Sequence, residues 1–481
     1  MTNSITSSIN NLKPGSRIHL MGICGTAMAS LAGLLKDRGF IVTGSDLNPY
    51  PPMSTQIENL GIKILRPYKR ENLSPSPDFV VVGNVIPASN EEAQEMVKLK
   101  LPFCSLPQAM GEVIIGDRDS FVIAGTHGKT TTTSLMSWVA ENCGLKPGFL
   151  IGGIPKNFSQ SFRNPAANTF VIEGDEYDTA YFDKVPKFIH YKPKYVILTS
   201  VEFDHADIYK DFAAVKDAFI RLMKLIPANG SLIFWGDDSN VREISEQCDI
   251  QKKFSYGFNE KSDYRAVISA ETEKTTTFQV FFKGEILGEF VTPMVGHYNI
   301  LNAMAVISQS HVNGYALTSV VSSLLSFQGV KRRQEILGEY SGVLLIEDFA
   351  HHPTAVKETI KAIQNKYKNR RVFSVFEPRS ATSRRKIFQK DYVDAFKESH
   401  EVLIANAFDQ GKISEAERFS AAELIQDLNH LGKSSSLFSS ADEIVDDLVK
   451  RTQPNDVVLI MSNGGFDGIY EKLIGKLKSR V

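Results

Sequence analysis

A glycine-rich turn between a short apolar strand and a helical segment is the feature that most restricts the fold of this chain. The strand covers residues 120–124, and apolar residues at helical spacing follow the turn at 135–139. In such a turn, backbone N–H groups can close on phosphates while the start of the helix supplies partial positive charge. The pattern therefore predicts an α/β domain that binds a nucleoside triphosphate. The residues of the turn are Gly125, Thr126, His127, Gly128, Lys129, Thr130 and Thr131.

The turn differs from the standard phosphate-binding loop in the position of its first glycine. Ile123 stands where that glycine belongs, and Gly125 follows two residues later. A chance Gly-Lys-Thr sequence is the alternative, but the strand before it and the helix after it favour phosphate binding. We expect Lys129 to contact the β- and γ-phosphates of ATP or GTP and Thr130 to bind Mg²⁺.

The length of 481 residues requires more than one such unit, because a single core stops growing beyond about 250 to 300 residues. Strands alternate with helices along most of the chain, a pattern typical of parallel sheets covered by helices. We predict an α/β protein of three domains. They are a Rossmann-like domain at 1–116, a central P-loop ATPase-type domain at 117–330, and a C-terminal Rossmann-like domain at 331–481.

Charge and hydropathy exclude two classes of partner. Lys and Arg number 54 against 55 Asp and Glu, so no bulk field would hold nucleic acid or an anionic membrane. No run of about 18 apolar residues is present, and the polar N-terminus lacks the apolar stretch of a signal peptide. We expect a cytoplasmic protein that binds neither nucleic acid nor membrane. Its oligomeric state cannot be predicted from these features.

Acidic side chains follow the next predicted strand. Glu173 ends the strand at 169–173, where a carboxylate can face the phosphate-binding turn. Mg²⁺ prefers one or two protein oxygens together with phosphates and water, so Glu173 and Thr130 form a sufficient ligand set. The other acids of this cluster fit a solvated loop equally well. They are Asp175, Glu176 and Asp178.

A histidine follows the strand at residues 195–199. His205 stands among carboxylates in the segment 202–207. A second Mg²⁺ bound there would concentrate positive charge beside the γ-phosphate, although a lone histidine is more often a hydrogen-bonded structural residue. We predict His205 as a metal ligand and catalytic residue.

Further side chains are candidates for contact with the nucleotide. Asn299 and Asn302 lie one helical turn apart, and their amides could read an adenine edge, although helix capping by Asn299 is the simpler interpretation. Arg333 follows a predicted hinge, where its forked cation could clamp phosphoryl charge; a solvated basic linker is the alternative. Asp348 ends the first strand of the third domain, where an ordinary loop is also possible.

The predicted strands of the N-terminal domain end in small or polar residues. Because the carboxyl ends of parallel strands share one edge of a sheet, these residues would form one ligand-binding rim. The rim residues are Gly22, Cys24, Gly25, Thr26, Ser45, Asp46 and Asn84.

In this order, the motifs resemble the ATP-dependent Mur ligase family of peptidoglycan assembly, across nearly the whole chain. They are most similar to the muramate branch, which acts on the lactyl carboxylate of UDP-N-acetylmuramate. The resemblance implies that this carboxylate attacks the γ-phosphate of ATP to give an acyl phosphate, while Lys129, Arg333 and Mg²⁺ balance the charge. It also implies that the N-terminal rim binds the UDP-sugar. The motifs are Gly22 to Gly25, Gly125 to Thr132, Asp204 to Asp207, Asn299 with Asn302, Gly329 to Arg333, and Asp348 to Pro353.

Two activities of this branch compete. One attaches L-alanine, and the other attaches the tripeptide L-alanyl-γ-D-glutamyl-meso-diaminopimelate during peptidoglycan recycling. The residues are more similar to the second, since Glu377 begins a Glu-Pro-Arg-Ser motif where alanine-adding members carry Gln-Pro-His-Arg. Further similar segments are 50–54, 146–149, 176–178, 182–184, 188–191 and 461–466. The implied peptide-binding residues are His351, His352, Arg379, Ser380 and Asn463.

Two positions depart from the family pattern. Tyr298 stands where a histidine commonly precedes the first adenine-contacting Asn, and the region near Ile220 lacks the carbamylated lysine of other members. Without that lysine, the resemblance implies a larger role for His205 in metal binding. A sensor that binds nucleotide and UDP-sugar without joining them, and a simple phosphohydrolase, are the alternatives from other functional classes.

Overall fold

The phosphate-binding turn connects a central strand to a helix in the computed structural model of the chain, which describes residues 7–49, 53–158, 160–204, 206, 208–411 and 413–480. The described residues form sheets of five, ten and six strands, in that order along the chain, and a separate two-stranded hairpin. The predicted α/β class with three successive sheets is therefore confirmed. In the described part of the chain, no helix has both the length and the apolar composition required to cross a membrane.

A parallel five-stranded sheet forms the N-terminal domain. Its strands and helices are β1 (Arg17–Met21), α1 (Thr26–Asp37), β2 (Ile41–Ser45), α2 (Met53–Asn59), β3 (Ile64–Leu65), β4 (Phe79–Val82), α3 (Glu91–Lys98), β5 (Phe103–Ser105) and α4 (Leu106–Ala109), with a π-helical turn at Met110–Ile115. The strand order is β3-β2-β1-β4-β5. All four residues of β4 are buried, as expected for a parallel strand covered on both faces.

The central domain contains a ten-stranded mixed sheet. Its elements are β6 (Asp119–Ala124), α5 (Lys129–Asn142), β7 (Gly148–Leu150), β8 (Phe162–Arg163), β9 (Thr169–Gly174), β10 (Asp178–Ala180), β11 (Asp183–Pro186), β12 (Tyr195–Leu198), α6 (Phe212–Met223), β13 (Ser231–Trp235), α7 (Ser239–Glu246), β14 (Lys253–Gly257), β15 (Tyr264–Glu271), β16 (Thr276–Phe282), β17 (Glu285–Thr292), α8 (His297–Val312) and α9 (Leu317–Ser326). The sheet order is β17-β16-β15-β14-β13-β12-β6-β9-β7-β8, and β10 pairs with β11 alone. Strand β16 is antiparallel to both β15 and β17, and the three strands form one edge of this sheet. Because β6 lies between β12 and β9, the turn after β6 faces the ends of both neighbours.

The third domain has a six-stranded sheet in which only the first strand is antiparallel. Its elements are β18 (Glu335–Tyr340), β19 (Val343–Asp348), α10 (Pro353–Lys366), β20 (Val372–Phe376), α11 (Gln389–Phe396), β21 (Glu401–Ala405), α12 (Ala421–His430), β22 (Ser434–Phe438), α13 (Ala441–Arg451), β23 (Val457–Met461) and α14 (Ile469–Lys478). The order is β18-β19-β23-β20-β21-β22. Short 3-10 turns occur at Ile9–Asn11, Arg70–Leu73, Lys187–His190, Lys386–Phe388, Glu415–Glu417 and Phe466–Gly468.

The domains contact one another through specific side chains. The first two share a hydrophobic core, in which the ring of Phe162 packs so closely on Gly33 of α1 that no Cβ could be added there. The central and third domains are joined by hydrogen bonds. Thr382 donates to Asp204 at 2.5 Å, and Thr354 donates to Glu202 at 2.6 Å. These contacts place the start of α10 beside the phosphate-binding turn.

Candidate active site

Two glycines allow the phosphate-binding turn to pass close to its neighbours. Gly125 and Gly128 have φ values of +130° and +81°, a region that favours glycine. A Cβ on Gly125 would also collide with Thr199, and one on Gly128 would collide with the amide of Asn302. The turn therefore requires glycine at both positions for conformation and for space.

The segment after β12 holds the backbone of the turn in place. The N–H of Thr126 donates to the carbonyl of Ser200 at 2.9 Å, and the N–H of His127 donates to the Ser200 hydroxyl at 2.9 Å. Thr199 Oγ1 donates to the carbonyl of His127 at 2.5 Å. The start of α5 at Lys129 is thus fixed, with its free backbone N–H groups available to an anion.

Lys129 is tied to the turn and to an acidic residue. Its Nζ donates to the carbonyl of Gly125 at 2.6 Å and to Glu176 at 2.9 Å. Burial opposes the charge of Lys129, but the carboxylates of Glu176 and Asp175 outweigh it and raise its pKa above the ordinary value. Glu176 is 2% exposed, and Asp175 lines a cavity to which all three domains contribute. The interpretation of these two acids as part of a solvated loop is therefore wrong.

The predicted magnesium ligands of the central domain meet. Thr130 Oγ1 donates to Glu173 Oε2 at 3.0 Å, and the N–H of Gly152 donates to Glu173 Oε1 at 2.5 Å. Burial, followed by the charge of Asp175, raises the pKa of Glu173 to about 7. A buried carboxylate beside a hydroxyl is a suitable site for a hard cation. His205, the other predicted metal ligand, lies outside the described residues.

The two predicted adenine-contacting amides are hydrogen-bonded within the protein. Asn299 Nδ2 donates to the carbonyl of Val295 at 2.8 Å, and Asn302 Nδ2 donates to Asn299 Oδ1 at 3.2 Å. Thr132 in α5 donates to Asn302 Oδ1 at 3.1 Å. Asn299 makes no capping bond at the start of α8. The pair therefore links α8 to α5, while both residues also line the cavity.

Third-domain residues complete the phosphate end of the cavity. Phe349 lies under the guanidinium of Arg333, 4.8 Å from ring centre to Cζ. Asp348 is buried and accepts the N–H groups of Gln334 and Ala350, each at 2.7 Å. Burial lowers the pKa of His351, so this imidazole is mainly neutral at pH 7.

One cavity of about 1090 Å³ contains most of the predicted residues, with contributions from all three domains. Of the predicted site residues, its lining includes Gly22, Gly25, Thr26, Asn84, Thr126, His127, Gly128, Lys129, Thr130, Thr131, Glu173, Asn299, Asn302, Arg333, Asp348, His351 and His352. The predicted residues that the structure places outside the lining are Gly125, Cys24, Ser45, Asp46, Arg379, Ser380 and Asn463.

On the N-terminal rim, Ser45 and Asp46 lie outside the cavity lining and hydrogen-bond to other residues of the domain. Ser45 is fully buried and its hydroxyl donates to Glu92 at 2.5 Å, so its side chain is not presented to the cavity. Asp46 accepts the N–H of Cys24 at 2.9 Å, which orients the turn after β1. Neither bond could be expected from the rim pattern alone.

The predicted peptide residue Arg379 lies beside a buried carboxylate in the third domain. Arg379 lies 3.2 Å from Glu377 and 3.8 Å above the ring of Phe408. Ser462 donates to the other oxygen of Glu377 at 2.5 Å. Within the described structure, the buried Oδ1 of Asn463 accepts no hydrogen bond.

Ser380, by contrast, is 9% exposed, and its hydroxyl donates to Ser383 at 2.9 Å within the same loop. The predicted role of its side chain in peptide binding is therefore not supported by its position.

A lysine that was not predicted also lines the cavity. Lys187 Nζ lies 3.1 Å from Asp175 and 3.9 Å above the ring of Tyr177. Lys187 follows the hairpin of β10 and β11. It lies between the segments 182–184 and 188–191, which resemble the tripeptide-adding members of the family. Its contact with Asp175 depends on the hairpin and has no local sequence signal.

Family models match the three sheets separately. Residues 17–118 match the Mur ligase family catalytic domain, residues 123–309 match the Mur ligase middle domain, and residues 332–464 match the Mur ligase glutamate ligase domain. Together these models cover most of the chain.

Individual relatives extend over its full length. The chain is 38% identical to the UDP-N-acetylmuramate–L-alanyl-γ-D-glutamyl-meso-2,6-diaminoheptandioate ligase of Escherichia coli (strain K12), over 97% of this chain and 99% of the relative. It is 29% identical to the UDP-N-acetylmuramate–L-alanine ligase of Carboxydothermus hydrogenoformans, over 95% of this chain and 96% of that relative. The crystal structure of a murein peptide ligase from Psychrobacter arcticus 273-4 aligns with a TM-score of 0.73 at 32% identity, over 97% of this chain and 100% of that one. The chain belongs to the Mur ligase family.

Proposed function

We propose that this chain is a cytoplasmic, ATP-dependent ligase of peptidoglycan recycling, which joins UDP-N-acetylmuramate to L-alanyl-γ-D-glutamyl-meso-diaminopimelate. The observation that carries the proposal is the shared cavity, whose lining includes Lys129, Thr130 and Glu173 of the central domain and Arg333 of the third domain. The Escherichia coli relative, whose name specifies this tripeptide, is 38% identical, whereas the alanine ligase of Carboxydothermus is 29% identical. The identities favour the tripeptide as the incoming amine.

The phosphates of ATP would be bound by the turn after β6. Backbone N–H groups at the start of α5 and the ammonium of Lys129 would contact the β- and γ-phosphates. Lys129 is paired with Glu176, so its charge is already held in the site. Arg333 would contribute a second cation from across the domain junction, held in orientation by its stacking on Phe349.

Mg²⁺ fits the oxygen atoms of Thr130 and Glu173. The two oxygens lie 3.0 Å apart, and burial together with the charge of Asp175 raises the pKa of Glu173 to about 7, so a bound cation would stabilise its ionised form. When bound, the ion would neutralise negative charge on the phosphate oxygens. We propose Thr130 and Glu173 as its protein ligands, with His205 as a ligand of a second Mg²⁺ beside the γ-phosphate.

The reaction would proceed in two displacements. A carboxylate oxygen of the muramoyl group attacks the γ-phosphorus, the bond to the β-γ bridging oxygen breaks, and ADP leaves. The amino nitrogen of the peptide then attacks the acyl carbon, and phosphate leaves with the oxygen it received and takes up the proton that the amine loses. Lys129 and Arg333 would stabilise the charge that develops on the transferred phosphoryl group. No covalent bond to the enzyme is needed.

The tripeptide carries carboxylates along its length and an additional ammonium at the diaminopimelate end. We propose that Arg379 binds a peptide carboxylate, because its fork can make two parallel hydrogen bonds. Glu377 has the opposite charge and lies 3.2 Å from Arg379, where it suits the ammonium. The buried Asn463 Oδ1, which accepts no hydrogen bond in the described structure, offers an acceptor nearby.

Phosphate release measured with each substrate omitted in turn tests this function. A ligase releases phosphate in an amount equal to the amide formed, and only when ATP, UDP-N-acetylmuramate and the peptide are all present. Release without the peptide and without amide formation would indicate a phosphohydrolase. Nucleotide binding without any release would indicate a sensor.

A further inference from the structure

Three side chains from separate segments meet where the central domain contacts the third domain. His127 belongs to the phosphate-binding turn, Glu202 follows β12, and His352 precedes α10. His127 Nε2 lies 3.5 Å from Glu202 Oε2, and His352 Nδ1 lies 3.7 Å from the same oxygen. The two imidazole rings are 4.8 Å apart between centres. One ligand atom from each residue lies within 4.8 Å of the others.

The imidazole nitrogens of this cluster are only partly satisfied by the protein. In the described structure, the Nε2 atoms of both His127 and His352 are buried without a hydrogen-bond partner, whereas His352 Nδ1, the atom 3.7 Å from Glu202, accepts the N–H of Thr354 at 3.4 Å. His352 is only 3% exposed. A separation of 3.7 Å from Glu202 is too long for a hydrogen bond. Because unpaired buried polar groups are costly, the arrangement indicates that a bound group is part of this site.

The spacing fits a metal ion better than it fits direct contacts. Tetrahedral bonds of about 2.1 Å from an ion to histidine nitrogen or carboxylate oxygen place neighbouring ligand atoms about 3.4 Å apart. The 3.5 and 3.7 Å separations in this cluster are close to that value. Thr354 donates to Glu202 Oε2 at 2.6 Å and thereby orients the carboxylate, as outer hydrogen bonds do around metal ligands.

The donor set distinguishes this cluster from the proposed magnesium site. Two imidazoles and one carboxylate are ligands typical of Zn²⁺ and related transition metals, whereas Mg²⁺ prefers oxygen. We propose that His127, Glu202 and His352 bind a divalent transition-metal ion of the Zn²⁺ class, separately from Thr130 and Glu173. Such an ion connects the phosphate-binding turn directly to the third domain.

Zn²⁺ binding to the full-length, nucleotide-free protein tests the proposal, measured by competition with a chromophoric chelator in excess Mg²⁺. We expect one Zn²⁺ per chain that millimolar Mg²⁺ does not displace. His352→Ala and Glu202→Gln should each weaken its affinity at least tenfold. The matched control is His297→Gln, which changes a histidine of the same cavity outside the cluster and should leave the affinity unchanged.

Co²⁺ substitution gives an independent readout, because the intensity of its visible absorption reports a low-coordinate site with nitrogen ligands. This band should be present in the unmodified protein and absent in Glu202→Gln, a change of nearly equal size that is suitable if His352→Ala does not fold. Equal Zn²⁺ affinity in the unmodified protein and both cluster variants would overturn the proposal. Loss of binding in Glu173→Gln or His205→Ala, with His352→Ala unaffected, would assign the ion to the magnesium site and would also overturn it.

Discussion

The ammonium group of Lys129 lies 2.9 Å from a carboxylate oxygen of Glu176, and the side chain of Glu176 is only 3% exposed. Lys129 is therefore half of a largely buried ion pair. Removing one member of such a pair leaves the other charge without compensation, which costs about 3 to 5 kcal/mol. Lys129 thus contributes to folding as well as to the proposed chemistry.

Lys129→Ala should reduce turnover at least about a hundredfold, because it removes a cation that contacts the transferred phosphoryl group. It should also lower the midpoint of urea unfolding, since the buried Glu176 then loses its ion pair with Lys129. The double variant Lys129→Met with Glu176→Gln should restore most of the stability but none of the activity. Near-normal turnover in either variant would remove Lys129 from the mechanism.

The pKa of Glu173 predicts a pH-dependent metal affinity. Its value of about 7 lies above the ordinary 4.5, so between these values the folded protein keeps a proton that the unfolded chain has lost. This contribution to stability is present below pH 4.5 and is lost as the pH rises to about 7. A metal ion needs the ionised carboxylate, so Mn²⁺ affinity in the absence of nucleotide should rise up to about tenfold per pH unit in this window.

Paramagnetic resonance of free Mn²⁺ measures this affinity, and Glu173→Gln is the control. The variant should bind Mn²⁺ weakly, with little change between pH 5.5 and 7.5. The same pH dependence in the variant would assign the titrating group to another residue.

Contacts between residues at the ends of parallel strands could partly be predicted from the sequence, whereas the other long-range contacts of the site could not. The sequence predicts Thr130 and Glu173 as a pair because the carboxyl ends of adjacent parallel strands meet, and the structure places them 3.0 Å apart. Ser45 was assigned to the rim on the same argument. Its hydroxyl instead donates to Glu92, 47 residues away, a partner that no local pattern identifies.

Contacts between domains could not be predicted from the sequence either. His127 was predicted as a nucleotide contact and His352 as a peptide contact, but the structure brings their rings 4.8 Å apart beside Glu202. These two histidines are far apart in the sequence, and their contact depends on the docking of α10 against the central domain. It could therefore not be predicted from the sequence. Lys187 was missed for a similar reason, because the hairpin of β10 and β11 directs it to Asp175.

Arg333→Lys should reduce turnover more than nucleotide affinity. The substitution keeps the positive charge but loses the guanidinium fork and much of its stacking on Phe349. We therefore expect kcat to fall at least tenfold, with ADP binding in calorimetry changed less than threefold. Equal losses in kcat and ADP affinity would place Arg333 in ground-state binding instead.

Arg379→Ala should raise KM for the tripeptide at least about tenfold while leaving KM for ATP and UDP-N-acetylmuramate nearly unchanged, because Arg379 lies outside the cavity that contains the phosphate-binding turn. Arg385→Ala is the matched control. Arg385 belongs to the same domain and forms a long pair with Glu417 at 3.9 Å, which should contribute less than about 1 kcal/mol to stability. If both variants behave alike, Arg379 is only a surface ion-pair partner.

The choice of amine substrate tests the central claim most directly. With saturating ATP and UDP-N-acetylmuramate, kcat/KM would be measured for L-alanyl-γ-D-glutamyl-meso-diaminopimelate and for L-alanine in the same phosphate-release assay, with the amide product identified by mass. We predict that the tripeptide is preferred by at least about a hundredfold, the factor expected when several charged contacts are available to one substrate only. A higher kcat/KM for L-alanine would contradict the proposed function and identify the chain as an alanine-adding member of the family.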